Sequence, residues 1–218
     1  MTDVTLYVVR HGQTYYNIYN KLQGWSNSPL TEKGILDAQR AGDRLKNVTF
    51  KTAYCSDTTR AEQTARTILT ANEAHSATDV TVSPLFREQF YGYYEGANMD
   101  ETWYVAGAPH GLPTFKAIVN QYDIGTAKDF LKAADPFHDA ENNEEYWTRW
   151  DQALDTIRHD SRLEDGDNVL LVSHGNTLLS LMERYGDGAY DLTERPKNGS
   201  LTKLALTPAD VQVISYNE

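Results

Sequence analysis

Two histidines carry the clearest chemical signal in this chain. Val8-Val9-Arg10-His11-Gly12 and Leu171-Val172-Ser173-His174-Gly175 share one pattern: an apolar run that stops at a polar residue, a histidine and a glycine. In parallel α/β sheets, ligands bind beyond the carboxyl ends of strands, so two neighbouring strands ending this way would bring His11 and His174 together. A glycine after each histidine lets backbone approach a ligand closely. A neutral imidazole attacks an electrophile at pH 7 without a separate base. A lone histidine is more simply a packed or surface residue, and it is the paired placement that argues for chemistry.

The elements that must position the pair follow from periodicity. Val4 to Val9 reads as a strand buried on both faces. After a stretch rich in Gly, Asn, Ser and Pro, Thr31 can cap a helix with apolar positions Ile35, Ala38 and Leu45, and Thr52 to Cys55 reads as a second strand. Strand, helix, strand order implies parallel pairing. Asp57 to Asn72 is expected as a helix with Ala61, Ala65, Ile68 and Leu69 on one face, Asp57 or Ser56 as its cap and Arg60 in its first turn. Val80 to Val82 forms a short strand. Tyr91 to Phe137 has no readable period and is expected to be an irregular, aromatic-rich lid or cap. In the helix expected over Asn143 to Leu163, Trp147, Trp150, Leu154 and Ile157 face the core, while Glu144, Glu145, Arg149 and Asp155 face water. Asn168 to Ser173 is a strand, His174-Gly175-Asn176 opens a helix through Met182, and Ser200 to Leu206 and Val211 to Ser215 close the sheet. The expected fold is a three-layer α/β/α arrangement with a mainly parallel central sheet. It forms one domain over residues 1–218, with a cap inserted at about 91–140.

Composition removes several classes of function. The net charge is −11, from 20 basic and 31 acidic residues, which argues against nucleic acid as a partner. The charge is uneven: residues 1–70 hold nine basic and six acidic groups, residues 123–165 five and twelve. Cys55 is the only cysteine, so no internal disulfide and no multi-thiolate metal site can form within one chain. Its neighbours suggest a small buried strand residue. No apolar run approaches the roughly 20 residues of a membrane helix. Met-Thr-Asp-Val-Thr-Leu has neither a basic leader nor a small-residue cleavage site, so a cytoplasmic location without membrane attachment is expected. His75, His110, His138 and His159 lack metal-ligand spacing and read as surface residues.

Further residues carry a family resemblance. Arg10-His11-Gly12-Gln13-Thr14 with Asn17, Pro29-Leu30-Thr31 with Gly34, Ser56 through Arg60-Ala61 with Gln63-Thr64-Ala65, Arg87-Glu88 with Gly92 and Glu95-Gly96, and Ser173-His174-Gly175 follow one another across most of the chain. In this order they resemble the histidine phosphatase superfamily, also called phosphoglycerate mutase-like. The resemblance implies that His11 becomes transiently phosphorylated and that Glu88 is the general acid. Glu95 is the alternative acid, although in the family pattern it sits in a structural Glu-Gly step.

The transferring phosphoryl group spreads charge over three oxygens, so such a site needs several fixed donors. Arg10 and Arg60 offer planar forks, His174 a ring donor, and Asn17 and the helix start near Arg60 neutral donors. Together these would replace a metal, so no metal or other cofactor is expected. A carboxyl group protonates a leaving alkoxide only if it stays partly protonated near neutrality, and Arg87 is therefore expected to point outward. Gln23 and Gly24 lie where family members often contact substrate, though a turn explains Gly24 equally well. Gly175 and Asn176 are further substrate-binding candidates. Phe90, Tyr91, Tyr93, Tyr94, Trp103 and Tyr104 either line a pocket or pack beneath a loop.

Three functions fit these residues. A phosphomonoesterase acting on a small-molecule ester uses the set as it stands. A cofactor-dependent mutase must retain a doubly charged intermediate and needs more cations above the pocket, whereas residues 89–127 hold only Lys116. A phospho-ligand binding protein without catalysis is opposed by the intact set of Arg10, His11, Arg60, Glu88 and His174. The leaving group is expected to be partly apolar or neutral, and pairing of two copies through a sheet edge or the acidic helix is plausible.

Overall fold

A run of branched and aromatic side chains makes Val4–Arg10 the first strand, β1, and every apolar strand parallel to it lies on the same side of the sheet. The computed structural model describes residues 2–74, 76–77 and 79–218; His75, expected at the surface, lies outside them. The other strands are β2 (Thr52–Cys55), β3 (Val80–Val82), β4 (Asn168–Ser173), β5 (Leu201–Leu206) and β6 (Val211–Ser215), arranged β3-β2-β4-β1-β5-β6. The four on the β3 side are parallel, and β5 and β6 add antiparallel to β1. The helices are α1 (Tyr15–Ile18), α2 (Glu32–Leu45), α3 (Thr59–Thr70), α4 (Met99–Gly107), α5 (Phe115–Gln121), α6 (Ile124–Ala134), α7 (Asn143–Arg158) and α8 (Gly175–Tyr185).

Alternation along the strands divides the core into two layers. On β4, Val169 and Leu171 join Tyr146, Trp150, Leu154 and Ile157 of α7 with Leu178, Leu181 and Met182 of α8. Leu170 and Val172 turn the other way, onto Ala41 and Leu45 of α2 and Ala61, Ala65 and Ile68 of α3. Each large apolar side chain so buried contributes about 2 kcal/mol by leaving water. The expected three-layer α/β/α fold with a mainly parallel sheet is what forms.

Local expectations fail where side chains find better partners. Thr31 caps α2 by accepting from the Gly34 N–H at 3.0 Å, but Ile35 is exposed and Ala41 takes the buried position. Neither Ser56 nor Asp57 caps α3: Asp57 is bound by Arg87 at 2.5 Å, and Ser56 is drawn into the histidine site. The segment expected to be irregular folds into α4, α5 and α6, each started by a side chain (Asn98, Thr114 or Asp123) that accepts from the first turn. These helices surround a small core of Trp103, Ala106, Ile118, Ala127 and Leu131 with Leu22, Tyr91 and Tyr94. At 7 to 11 residues they are too short to display a period. The helix expected to reach Leu163 stops at Arg158, where Asp160 and Arg162 form a turn of their own. Among the described residues no helix is long and apolar enough to cross a membrane.

Candidate active site

Parallel pairing of β1 with β4 sets Arg10 opposite Ser173, and the next residue of each strand is a histidine. The His11 N–H donates to the Ser173 carbonyl at 3.0 Å, and the two imidazole rings lie 5.3 Å apart, both buried. The strand-end pattern therefore delivers the pair as expected.

The glycines after the histidines each meet a packing demand within the protein. A Cβ on Gly12 would stand 2.1 Å from the Gly34 carbonyl oxygen, so the turn after β1 packs directly on the start of α2. A Cβ on Gly175 would crowd the Arg10 guanidinium at 3.1 Å, so this glycine makes room for the arginine.

Hydrogen bonds assign the imidazole tautomers. His11 Nδ1 lies 2.7 Å from the Gly12 carbonyl, which can only accept, so Nδ1 carries the proton and Nε2 keeps the lone pair. Burial first, then the Arg60 and Arg10 guanidiniums, hold His11 well below its ordinary 6.5. At His174, Arg60 Nη2 donates to Nδ1 at 3.2 Å, so Nε2 carries the proton and donates to Ser56 Oγ at 2.9 Å. Both ring nitrogens of His174 are thus occupied, and it donates to a ligand only by exchanging the Arg60 contact. Burial and the same cations hold His174 well below 6.5 as well. An NMR titration is expected to show the His11 ring neutral at pH 6.5 and somewhat below, its signal assigned by loss in His11→Ala. Protonation at or above 6.5 would mean that neither burial nor the cations act on the ring.

Arg10 and Arg60 are buried, and burial lowers each to about 10, which leaves both charged at neutral pH. Backbone carbonyls orient them: Arg10 donates to Pro196, and Arg60 to Ser26 at 2.9 Å and Gly24 at 2.7 Å. The Nε of each is buried without a partner.

A narrow cavity of about 20 Å³ lies over His11, lined by Arg10, Asn17, Lys21, Gln23, Glu88, Tyr91, Gly175, Asn176 and Arg195. Asn17 spends its carbonyl oxygen on the Thr14 N–H at 3.0 Å, which leaves its amide nitrogen for a ligand. The Gln23 amide nitrogen is buried without a partner. Gly24 is absent from the lining and supports Arg60 instead. Arg60 and His174 stand behind the lining. A wider hollow of about 830 Å³, around Asp43, Glu62 and Arg66 on α2 and α3, holds none of these residues.

Glu88 enters the cavity opposite the N-terminus of α8. Its Oε2 accepts from the Asn176 N–H at 2.7 Å, and its Oε1 from Thr177 Oγ1 at 2.9 Å and the Gln89 N–H at 3.0 Å. The first-turn donors of α8 therefore hold a carboxylate of the protein. Glu95 is committed elsewhere, accepting from the N–H groups of Gly24, Trp25, Ser26 and Tyr91. Arg87 turns away to Asp57 and lies 4.6 Å from the Trp25 ring centre.

Nine of the ten candidates from the sequence border the cavity or, like Arg60 and His174, stand behind its lining, and Asn176 meets Glu88 through its backbone N–H. Tyr91, one of the aromatics expected either to line a pocket or to pack beneath a loop, borders the cavity, while Lys21 and Arg195, in loops outside the matched motifs, were missed. Arg149 was misplaced. Instead of facing water, it pairs with Glu141 at 2.7 Å and donates to the carbonyls of Leu85, Arg87 and Glu88, which fixes the Glu88 backbone. The charge of a single helical residue carries no signal of that kind.

The profile of the histidine phosphatase superfamily (branch 1) matches residues 6–109 and 105–218. The chain belongs to the histidine phosphatase superfamily. It is 34% identical over 184 residues to the 2,3-bisphosphoglycerate-dependent phosphoglycerate mutase 2 of Gloeobacter violaceus, covering 81% of this chain and 73% of that one. It is 41% identical over 97 residues to the fructose-2,6-bisphosphatase TIGAR B of Danio rerio, covering 44% and 38%. Among solved structures, the phosphoglycerate mutase of Bacillus anthracis superposes with a TM-score of 0.90 at 34% identity, over 100% of this chain and 94% of that one. Members of the superfamily are mutases and phosphatases, so an enzyme is the class to which the chain belongs.

One further buried charge of this superfamily member is coupled electrostatically to Glu88. Lys128 of α6 is fully buried, donates to Ser180 Oγ at 2.9 Å and lies 4.6 Å from the Tyr146 ring centre. Burial lowers its pKa from 10.5 to about 8. The folded chain then binds fewer protons than the unfolded one between about pH 8 and 10.5, so this residue makes stability rise across that window. Below it the buried charge costs about 3 kcal/mol. Lys128→Met, which forfeits one hydrogen bond, is expected to gain about 1–2 kcal/mol at pH 7 and to flatten that rise in urea unfolding. An unchanged pH dependence would assign the buried charge to another group.

Proposed function

We propose that the chain hydrolyses small phosphate monoesters through a phosphohistidine on His11. The observation that carries this reading is the composition of the cavity wall. His11 and Glu88 line one cavity, and among the described residues the segment 91–140 contributes only Tyr91 to it, with no cation. Lys116, the one basic residue at 89–127, is largely exposed and lies 3.7 Å from Glu194.

The steps follow from the groups present. His11 Nε2 attacks phosphorus, the N–P bond forms and the bond to the ester oxygen breaks. Arg10, Arg60 and Asn17 stabilise the charge on the three oxygens. An ester dianion beside the Glu88 carboxylate favours uptake of a proton with the substrate, and that proton passes to the leaving alkoxide. Glu88 then accepts a proton from the water that attacks phosphohistidine, releasing phosphate and free His11.

Mutase chemistry is the second reading. It is supported by the names of the relatives and by Lys21 and Arg195 at the cavity rim, which supply cations that the segment at 89–127 lacks. One experiment separates the readings: the purified protein and His11→Ala are incubated with phosphomonoesters and with phosphoglycerates, with and without bisphosphoglycerate, in EDTA. Free phosphate in EDTA supports hydrolysis without a metal, interconversion of phosphoglycerates supports the mutase, and silence across the panel supports a binding protein. Activity abolished by EDTA would overturn the metal-free mechanism.

A further inference from the structure

A second pocket, about 580 Å³, lies against the catalytic cavity and shares Arg195 with it. Met99, Trp103 and Tyr104 of α4 form one wall, Pro113 and Phe115 another, and Thr193 to Arg195 the third. The Trp103 and Phe115 rings lie 4.9 Å apart, and together they make the floor aromatic. This volume falls in the range of small-molecule sites, whereas about 20 Å³ over His11 holds no more than the transferring group. The alcohol of an ester must therefore lie outside that cavity, and Arg195 is the partition it shares with the larger pocket. The Arg195 guanidinium contacts Met99 Sδ at 2.7 Å and couples electrostatically to Arg10, so the side chain borders the apolar pocket and the phosphate cradle at once.

We propose that this pocket receives the alcohol of the substrate, and that the preferred esters carry an aromatic or comparably bulky apolar alcohol. The proposal rests on the hydrolytic reading for its reaction, though not for its binding. Charge at the rim points the same way. Asp100 and Glu194 are acidic, and Lys116 is already beside Glu194, so an alcohol bearing a carboxylate or a second phosphate finds no free cation there except Arg195.

The test compares 2-(1-naphthyl)ethyl phosphate with ethyl phosphate, whose alcohols are similarly poor leaving groups. The naphthyl ester is expected to have a kcat/KM about a hundredfold higher, since each methylene-sized apolar contact in a pocket discriminates by about tenfold. Tyr104→Asp, at a largely exposed wall position, is expected to lower that ratio about tenfold, and Thr193→Trp, which fills the pocket, to do the same. Calorimetry on His11→Ala should show tighter binding of the naphthyl ester than of the ethyl ester. Phosphate release from both esters at equal kcat/KM, unaltered by either variant, would overturn the pocket and leave hydrolysis standing. No phosphate release, with naphthyl-selective binding that Tyr104→Asp removes, would keep the pocket and overturn hydrolysis.

Discussion

His11→Ala is expected to lower kcat by about a hundred-thousandfold, the scale on which removal of a covalent nucleophile acts. The variant keeps Arg10, Arg60 and Asn17, so phosphate still binds and the loss falls on kcat rather than on KM. The geometry leaves no substitute nucleophile. His174 lies 5.3 Å away, but its Nδ1 is occupied by Arg60 and its Nε2 by Ser56. Quenching the wild-type protein during turnover of a radiolabelled ester should retain label that survives alkali and is released by acid, as an N–P bond requires. His11→Ala should retain none. Full activity in the variant would move the nucleophile elsewhere, and turnover by wild type without trapped label under rapid quench would argue for direct attack by water.

Glu88→Gln is expected to reduce kcat about a thousandfold for alkyl phosphates, within the usual range for loss of a general acid. For 4-nitrophenyl phosphate, whose phenolate leaves without a proton, the loss should be under about tenfold. The contrast between the two esters carries the test, because the substitution also disturbs the structure. Glu88 accepts from the N–H groups of both Asn176 and Gln89, and a glutamine can satisfy only one of them with its carbonyl oxygen. Leaving the other unpaired costs about 1–3 kcal/mol, to be read as a lower urea midpoint. Equal losses for both esters would make Glu88 a positioning residue instead of the acid.

The site was legible to very different degrees at its different residues. His11 and His174 announce themselves because each follows the end of an apolar strand, although the parallel register that sets β1 beside β4 joins strands far apart in the chain. The partners that set the His174 tautomer were not legible. Ser56, expected as a possible helix cap, instead accepts from His174 across 118 positions, and Arg60 reaches Nδ1 of the same ring across 114. Arg149 had the helical position of a solvent-facing charge, yet three backbone carbonyls around Glu88 claim it. The segment from Tyr91 to Phe137 was unreadable because three short helices bury apolar side chains against one another instead of along one long face.

The sequence by itself determined the layered α/β fold, the strand ends that carry the histidines, and the set of charged groups able to bind phosphate, because these depend on side-chain period and on residue type at fixed local spacing. Only the tertiary structure decided which His11 nitrogen is free to attack, that His174 is already engaged on both sides, that α8 holds the Glu88 carboxylate, and that Lys21 and Arg195 rim the cavity. The first turns on the backbone conformation at Gly12, and the others on a hydrogen bond or a shared wall between residues far apart in the chain, contacts that exist only once the two layers have closed on the sheet.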